Sequence, residues 1–189
     1  MKNKMKKTIT STMLFAALLL TVATNSVQAQ TKPATLARYK DTVEENLSAD
    51  ADINIVTEYV NTLVGGNADK AKMLLASNYK GYGPSAADSS TAEKVVSGWK
   101  QDYKVQSNRK FDFVKATFRV KSGNFKGNWV SLWGNYSFTQ SGKNVTFPVH
   151  YNAHVTNGKI DRDYIYFDRL SVYQTLGYKL APPAAAVAK

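Results

Sequence analysis

The chain has 189 residues, a formal net charge of +11 and no cysteine. The lack of cysteine excludes disulfides, thiol nucleophiles and cysteine-ligated zinc, so the fold must be held together by its core. Four lysines in the first seven residues account for part of the charge, and their removal leaves +7. The remaining basic residues are dispersed, and we therefore expect no nucleic-acid partner.

Residues 1–29 have the pattern of a signal peptide. A basic segment, MKNKMKK, precedes the apolar run ITSTMLFAALLLTVA, which is too short for a good membrane span. The small residues Val27 and Ala29 predict cleavage after Ala29. No later apolar run is long enough to span a bilayer. We expect an exported protein, secreted or periplasmic, without a membrane anchor.

Helical periodicity predicts four helices in the N-terminal half. The first lies in a lead-in of residues 30–49 and has apolar residues at helical spacing: Leu36, Tyr39, Val43 and Leu47. The second covers about residues 52–64 and ends at Gly65-Gly66. Asn67 caps a short third helix, and the segment NYKGYGPSAADSS then predicts a loop. Ser90 and Glu93 form a capping box for the fourth helix.

After Asn108 the apolar residues alternate with period two. Four segments predict strands separated by glycine-containing turns: KFDFVKATFRV, NWVSLWGNYSFT, KNVTFPVHYNAHV and KIDRDYIYFD. The segment RLSVYQTLGYKL predicts a last helical turn or an edge, and the Ala/Pro tail of residues 179–189 predicts disorder. Helices followed by an antiparallel meander make the fold class α+β, with the N-terminal helices packed on the sheet.

Two tight turns set the strand register. If Ser141-Gly142 and Asn157-Gly158 are both two-residue turns, one face of the sheet is almost wholly apolar. That face carries Val130, Leu132, Tyr136, Phe138, Val145, Phe147, Val149, Tyr151, Val155, Ile160, Tyr164, Tyr166 and Asp168. His150 and His154 then lie on the opposite face. A three-residue loop with a bulge at 156–158 would reverse this, but would expel apolar side chains worth about 1.5–3 kcal/mol each.

Asp168 is the polar exception on that face. A buried carboxylate is costly unless something satisfies or uses it. It either accepts hydrogen bonds from backbone or tyrosine groups, or serves as a general base in a pocket. The two histidines lie roughly 13 Å apart along a strand, too far apart for a shared metal ion, and we expect both to face water. We find no motif for a metal or other cofactor and expect none.

Two segments resemble parts of the nuclear transport factor 2-like superfamily. Its helical start is similar to IVTEYVNTLVGGNADKAKMLLASNYKGYG, and its closing strand is similar to NGKIDRDYIYFDRLSVYQTLG. Together they are similar in particular to the SnoaL-like, polyketide cyclase-like branch of that superfamily. The resemblance covers about residues 50–178. It implies a curved antiparallel sheet wrapped by helices into a cone, a pocket at the open end of the cone, and frequent dimerisation through the sheet.

The resemblance also implies site residues. In the cyclases an aspartate on the last strand works with a histidine on the preceding strand. Asp168 matches the aspartate, and Tyr151 lies nearest to the histidine position, so we expect these two as the catalytic pair. Further candidates for contact with a ligand are the aromatic residues Tyr79, Trp99, Tyr136 and Tyr166.

Trp129 and Trp133 alternate onto the outward face of their strand. Two exposed tryptophans on one strand indicate an interface, either of a homodimer or with the sugar rings of a wall polysaccharide. Three functions therefore remain open. The chain is a pocket domain for a small apolar or aromatic molecule, a lyase or isomerase with Asp168 as its base, or an interaction module that uses the two tryptophans.

Overall fold

The computed structural model describes residues 38–181. The predicted signal peptide, residues 30–37 of the lead-in and residues 182–189 of the tail lie outside the described residues. The described part has five helices and one seven-stranded sheet. This arrangement confirms the predicted α+β class.

Four long strands follow the N-terminal helices as the sequence periodicity predicts, and three further strands lie among those helices. The helices are α1 (Tyr39–Thr42), α2 (Ala49–Val64), α3 (Ala68–Lys72), α4 (Ala92–Val105) and α5 (Arg169–Leu176). The strands are β1 (Val43–Glu44), β2 (Leu75–Tyr82), β3 (Ser89–Ser90), β4 (Ser107–Val120), β5 (Gly127–Gln140), β6 (Lys143–Thr156) and β7 (Lys159–Tyr166). Their order in the sheet is β1-β4-β5-β6-β7-β2-β3, and within residues 38–181 only β2 and β7 pair in parallel.

The predicted second and third helices are confirmed as α2 and α3. Asn67 caps α3, where its side-chain oxygen accepts a hydrogen bond from the Lys70 amide at 3.0 Å. The cap of α4 lies one residue later than predicted. Thr91 accepts from the Lys94 amide, because Ser90 belongs to β3.

Two predictions in the N-terminal half are wrong. The first helix is a single turn, because Val43 and Glu44 adopt an extended conformation and pair with the end of β4. Leu47 is consequently left 93% exposed. The first part of the predicted loop, from Asn78 to Tyr82, belongs to strand β2, whose register partner is β7.

The register of the first hairpin is confirmed. Phe138 pairs with Val145, and Leu132 pairs with Tyr151. The second hairpin begins as predicted, but a β-bulge follows at once, because the register shifts by one residue after the pair Val155–Ile160. The rest of β7 is therefore turned over relative to the prediction.

The bulge decides which β7 side chains enter the core. Tyr151 pairs with Ile165, and not with Tyr164 as predicted. Asp163 and Ile165 consequently point to the inward face, towards the helices. Tyr164 and Tyr166, which were predicted on that face, point outward.

The inward face and the helices form two adjoining groups of buried side chains. The larger group lies under α2, which contributes Val56, Tyr59, Val60 and Leu63. The smaller group, around Phe138 and Phe147, includes contacts with α5. Among residues 38–181, no helix combines the length and the apolar character needed to cross a bilayer.

A substitution at Gly134 tests how closely β5 packs against β4. A Cβ at this position would lie 1.9 Å from the Asp112 carbonyl oxygen and 2.7 Å from the Phe113 Cα, both in the backbone of β4. We expect Gly134→Ala to lower the free energy of unfolding by about 3 kcal/mol. The measurement is urea unfolding.

The control is Gly98→Ala, in helix α4. A Cβ at Gly98 meets nothing within 4 Å. Alanine is a better helix former than glycine, so this variant should gain up to about 1 kcal/mol. Equal effects of the two substitutions would contradict the packing described for Gly134.

Candidate functional site

The most unusual polar group in the described chain is the carboxyl group of Asp163. The bulge places it on the inward face of β7, where the residue is only 5% exposed. The Tyr79 and Tyr151 hydroxyls both donate to its Oδ2, each at 2.7 Å. These residues lie on β2, β7 and β6, so the cluster links three adjacent strands.

Burial dominates the electrostatics of this cluster. It raises the pKa of Asp163 to about 6, although the hydrogen bonds from Tyr79 and Tyr151 oppose the shift. Burial also raises the pKa of Tyr151 and of Tyr79, and the negative charge of Asp163 adds to both shifts. Both hydroxyls therefore keep their protons and act as donors.

The second oxygen of Asp163, Oδ1, receives no hydrogen bond from any residue between 38 and 181. It lies against Gly81, where a Cβ would come 2.8 Å from Oδ1 and 2.5 Å from the Tyr79 hydroxyl. Glycine is therefore needed at this position of β2. The β2 backbone at Gly81 lies so close to the carboxyl group of Asp163 that a Cβ atom would not fit between them.

Helix α2 covers the cluster with Tyr59, which is 2% exposed. Its ring stacks on that of Tyr151, with centroids 6.3 Å apart and an interplanar angle of 25°. Burial, and then the charge of Asp163, raise the pKa of Tyr59. Three tyrosines thus surround one carboxyl group.

Beyond this cluster, a group of half-buried aromatic side chains lies on the inward face of the sheet and on helix α4, which contributes Trp99. We call it the inner aromatic patch, and it consists of Trp99, Phe111, Phe113, Tyr136 and Phe167. Trp99 meets Tyr136 edge-on at 6.2 Å. Ile165, two residues after Asp163, contacts both buried groups of the core. Phe167, the patch residue that follows β7, comes four residues after Asp163, about 13 Å along the chain, and Ile165 lies between them.

Asp168 does not lie in this site. It is exposed and caps α5, where its Oδ1 accepts from the Ser171 amide at 3.0 Å. Its predicted place on the inward face is wrong because the bulge reverses β7 and the strand ends at Tyr166. The predicted pairing with Tyr151 is absent, since the Tyr151 hydroxyl donates to Asp163.

The other predicted pocket residues have separate positions. Tyr79 is buried in the Asp163 cluster, whereas Trp99 and Tyr136 are in the inner aromatic patch. Burial raises the pKa of the Tyr136 hydroxyl, which donates to the Gln106 side chain at 3.3 Å. Tyr166 points outward and is exposed, so its predicted place on the inward face is wrong.

Both histidines lie on the outward face, as the two-residue turn predicts. His150 is exposed and its Nε2 lies 2.8 Å from the Ser131 Oγ. His154 was expected to face water but is buried. Its Nδ1 contacts the Asp161 carboxylate at 2.5 Å, because the bulge brings that residue beside it.

The outward tryptophans also differ from each other. Trp129 is 4% exposed, because the β4–β5 loop covers it and its Nε1 donates to the Phe125 carbonyl at 2.7 Å. Its predicted role as an exposed interface residue is therefore wrong. Trp133 is 45% exposed and remains available for contact.

Two surface clefts, of about 460 and 470 Å³, lie near the start of α2. They share Ser48, Arg119 and Asn128, and the second also reaches Asp52 and His154. Asp52 is buried and accepts from Asn128 at 2.9 Å. Neither cleft includes Asp163 or the inner aromatic patch.

Sequence reasoning missed Asp163, Tyr59 and Gly81. The spacing of Ile160 and Ile165 was a signal for the position of Asp163. Ile165 follows Ile160 by five positions, an odd number, so both can face the core only if a bulge lies between them. With that bulge, Asp163 accompanies Ile165 on the inward face.

No protein-family model and no curated protein matches the sequence. Solved structures do match, among them a protein of ketosteroid isomerase-like fold from Catenulispora acidiphila, in complex with trimethylamine. It has 17% identity and a TM-score of 0.54, over 68% of this chain and 97% of the other.

Two further structures give the same fold. One, from Shewanella putrefaciens, is named for the SnoaL-like polyketide cyclases, with 12% identity and a TM-score of 0.54 over 66% of this chain and 95% of the other. The other is an LEH-like epoxide hydrolase from M. tuberculosis, with 15% identity and a TM-score of 0.54 over 70% and 89%. At these identities the likeness shows the fold alone.

The raised pKa of Asp163 has a consequence for stability. Because the folded pKa of about 6 lies above the ordinary value of 3.8, Asp163 contributes most below pH 3.8 and loses that contribution as the pH rises through 6. Asp163→Asn stays neutral. From pH 4 to pH 7 we expect the free energy of unfolding of the wild type to fall by about 2 kcal/mol relative to that of this variant. Chemical unfolding at each pH is the measurement.

The matched control is Asp168→Asn, since asparagine caps a helix as well as aspartate does. Like Asp163→Asn, it removes one carboxyl group, but from an exposed position outside the cluster, so the change with pH should be larger for Asp163→Asn. A flat difference for Asp163→Asn would mean that Asp163 titrates as an ordinary exposed carboxyl group.

Proposed function

We propose that this chain, which has the SnoaL-like, nuclear transport factor 2-like fold, binds a small apolar or aromatic molecule on the inward face of its sheet. Asp163, rather than Asp168, is the polar anchor of the site. The observation that carries the proposal is a carboxyl group on a residue that is only 5% exposed, whose Oδ1 accepts no hydrogen bond from any described residue and yet is not fully enclosed. A binding partner with a donor would satisfy it.

The inner aromatic patch supports the apolar part of the proposal. Trp99 of α4 packs against the rings on the sheet, yet each ring keeps part of its surface exposed, and partly exposed aromatic side chains are typical of ligand sites. The Catenulispora acidiphila protein of similar fold was solved in complex with trimethylamine. That complex supports small-molecule binding on this fold.

Proton transfer by Asp163 is the second candidate function. A pKa of about 6 lies close to neutral pH, where a carboxylate can both accept and return a proton. In a lyase or isomerase, Oδ1 would take the proton from substrate carbon. Turnover of a co-purified ligand by the wild type, with binding but no turnover in Asp163→Asn, would favour catalysis over binding alone.

The outward face supports a proposal about partners. Val114, Trp133, His150 and Tyr166 are register neighbours on four successive strands, β4 to β7, and all four are exposed. We propose that a second copy of the chain covers this row, as the dimerisation implied by the family resemblance would require. A wall polysaccharide stacked on Trp133 is the alternative.

Export belongs to the proposal as well. It rests on the basic segment, the apolar run and the small residues before Gln30. The N-terminal sequence of protein recovered from the periplasm or the medium should begin at Gln30. Recovery only from the cytoplasm with Met1 intact would contradict it.

Trp99 and Trp133 form a matched pair for testing the two faces. We expect Trp99→Ala to weaken binding of the neutral apolar dye N-phenyl-1-naphthylamine at least tenfold, because it removes part of the inner aromatic patch. Trp133→Ala should leave the dye affinity unchanged. Fluorescence titration is the measurement, and the reverse pattern would place the ligand on the outward face.

The same two variants test the dimer. Sedimentation velocity should show a dimer for the wild type and for Trp99→Ala, and a monomer for Trp133→Ala, because only the last removes exposed aromatic area from the row. A monomeric wild type would contradict the dimer. If that monomer also bound insoluble cell-wall polysaccharide through Trp133, the alternative partner would be correct.

A further inference from the structure

The Asp163 site has more hydrogen-bond acceptors than donors. Tyr79 and Tyr151 each have one hydroxyl proton, and each donates it to Oδ2 of Asp163. Tyr59 brings a third hydroxyl, which lies beside that of Tyr79, so Oδ1 and the Tyr151 phenolic oxygen are the acceptors that stay free. A molecule that fits beside these two oxygens must supply donors.

The site also lacks a compensating cation. None of the ion pairs among residues 38–181 involves Asp163, and its neighbours on β2, β6 and α2 are uncharged tyrosines. Because the pKa of Asp163 is about 6, the carboxyl group is mostly ionised at pH 7.5. A buried charge without a partner is costly, so a cation placed there gains more than it would at the surface.

The surrounding side chains offer oxygen atoms to a cation as well. Tyr59, Tyr79 and Tyr151 come from α2, β2 and β6, and two of them direct their hydroxyls at the carboxyl group. Ile165, about 7 Å further along β7, and then the inner aromatic patch suit an apolar or aromatic body attached to that group.

We propose that the ligand of this site carries a protonated primary amine, which donates to Oδ1 of Asp163 and neutralises its charge. This inference rests on the proposed function, because it names the chemistry of a ligand in the same site. A primary ammonium group has three donors and no acceptor, which complements the free oxygens of the cluster. A neutral alcohol of the same shape leaves the charge uncompensated, and an anion is repelled by it.

The test compares benzylamine with benzyl alcohol, which have the same ring and nearly the same shape. Isothermal titration of the purified protein at pH 7.5 should show at least tenfold tighter binding of benzylamine. In Asp163→Asn the two ligands should bind equally. Asp168→Asn should keep the wild-type preference, because Asp168 lies outside the site.

The pH dependence gives a second measurement that needs no variant. Below pH 6 the affinity for benzylamine should fall roughly tenfold per pH unit, because the ionised fraction of Asp163 falls by that factor. The affinity for benzyl alcohol should not change.

The outcomes separate this inference from the proposed function. Equal affinities for the two ligands in the wild type overturn the amine, and so does a preference for benzylamine that persists in Asp163→Asn. If neither ligand binds while N-phenyl-1-naphthylamine does, the amine is wrong and the pocket stands. If the dye also fails to bind, both proposals are wrong.

Discussion

The hydrogen bonds from Tyr79 and Tyr151 to one oxygen of Asp163 are the interaction on which the site depends. They link β2, β7 and β6, including the only parallel strand pair among the described residues. Their geometry requires glycine at position 81 and the bulge at Asp161. Without that one extra residue, β7 would present Tyr164 to the core and Asp163 to the outward side.

The bulge also determines which chemical groups lie on each face of the sheet. Inward, it places an ionisable group among tyrosines, next to the half-buried inner aromatic patch. Outward, it brings Asp161 beside His154, under a loop that covers Trp129. The exposed row around Trp133 lies on the same outward face, and we propose that a second copy of the chain covers it. A ligand and a second copy of the chain could therefore occupy opposite faces without competing.

Much of the fold could be predicted from the sequence, because its signals are local. The period-two segments and the Ser141-Gly142 turn predict the first hairpin to the residue, and Asn67 predicts the start of α3. The site could not be predicted in the same way. A one-residue bulge inverts Asp163 and Asp168 relative to the core, and pairing of Val43 with β4 overrides the helical periodicity of the lead-in.

The central claim is that Asp163 is a buried carboxyl group that is still ionised at neutral pH. The direct measurement is an NMR titration of the aspartate side-chain 13Cγ shifts, with Asp163→Asn used to assign the resonance. We predict a midpoint near pH 6 for Asp163. A midpoint near its ordinary value of 3.8 would contradict the account, because it would mean that water or an unrecognised cation reaches the carboxyl group.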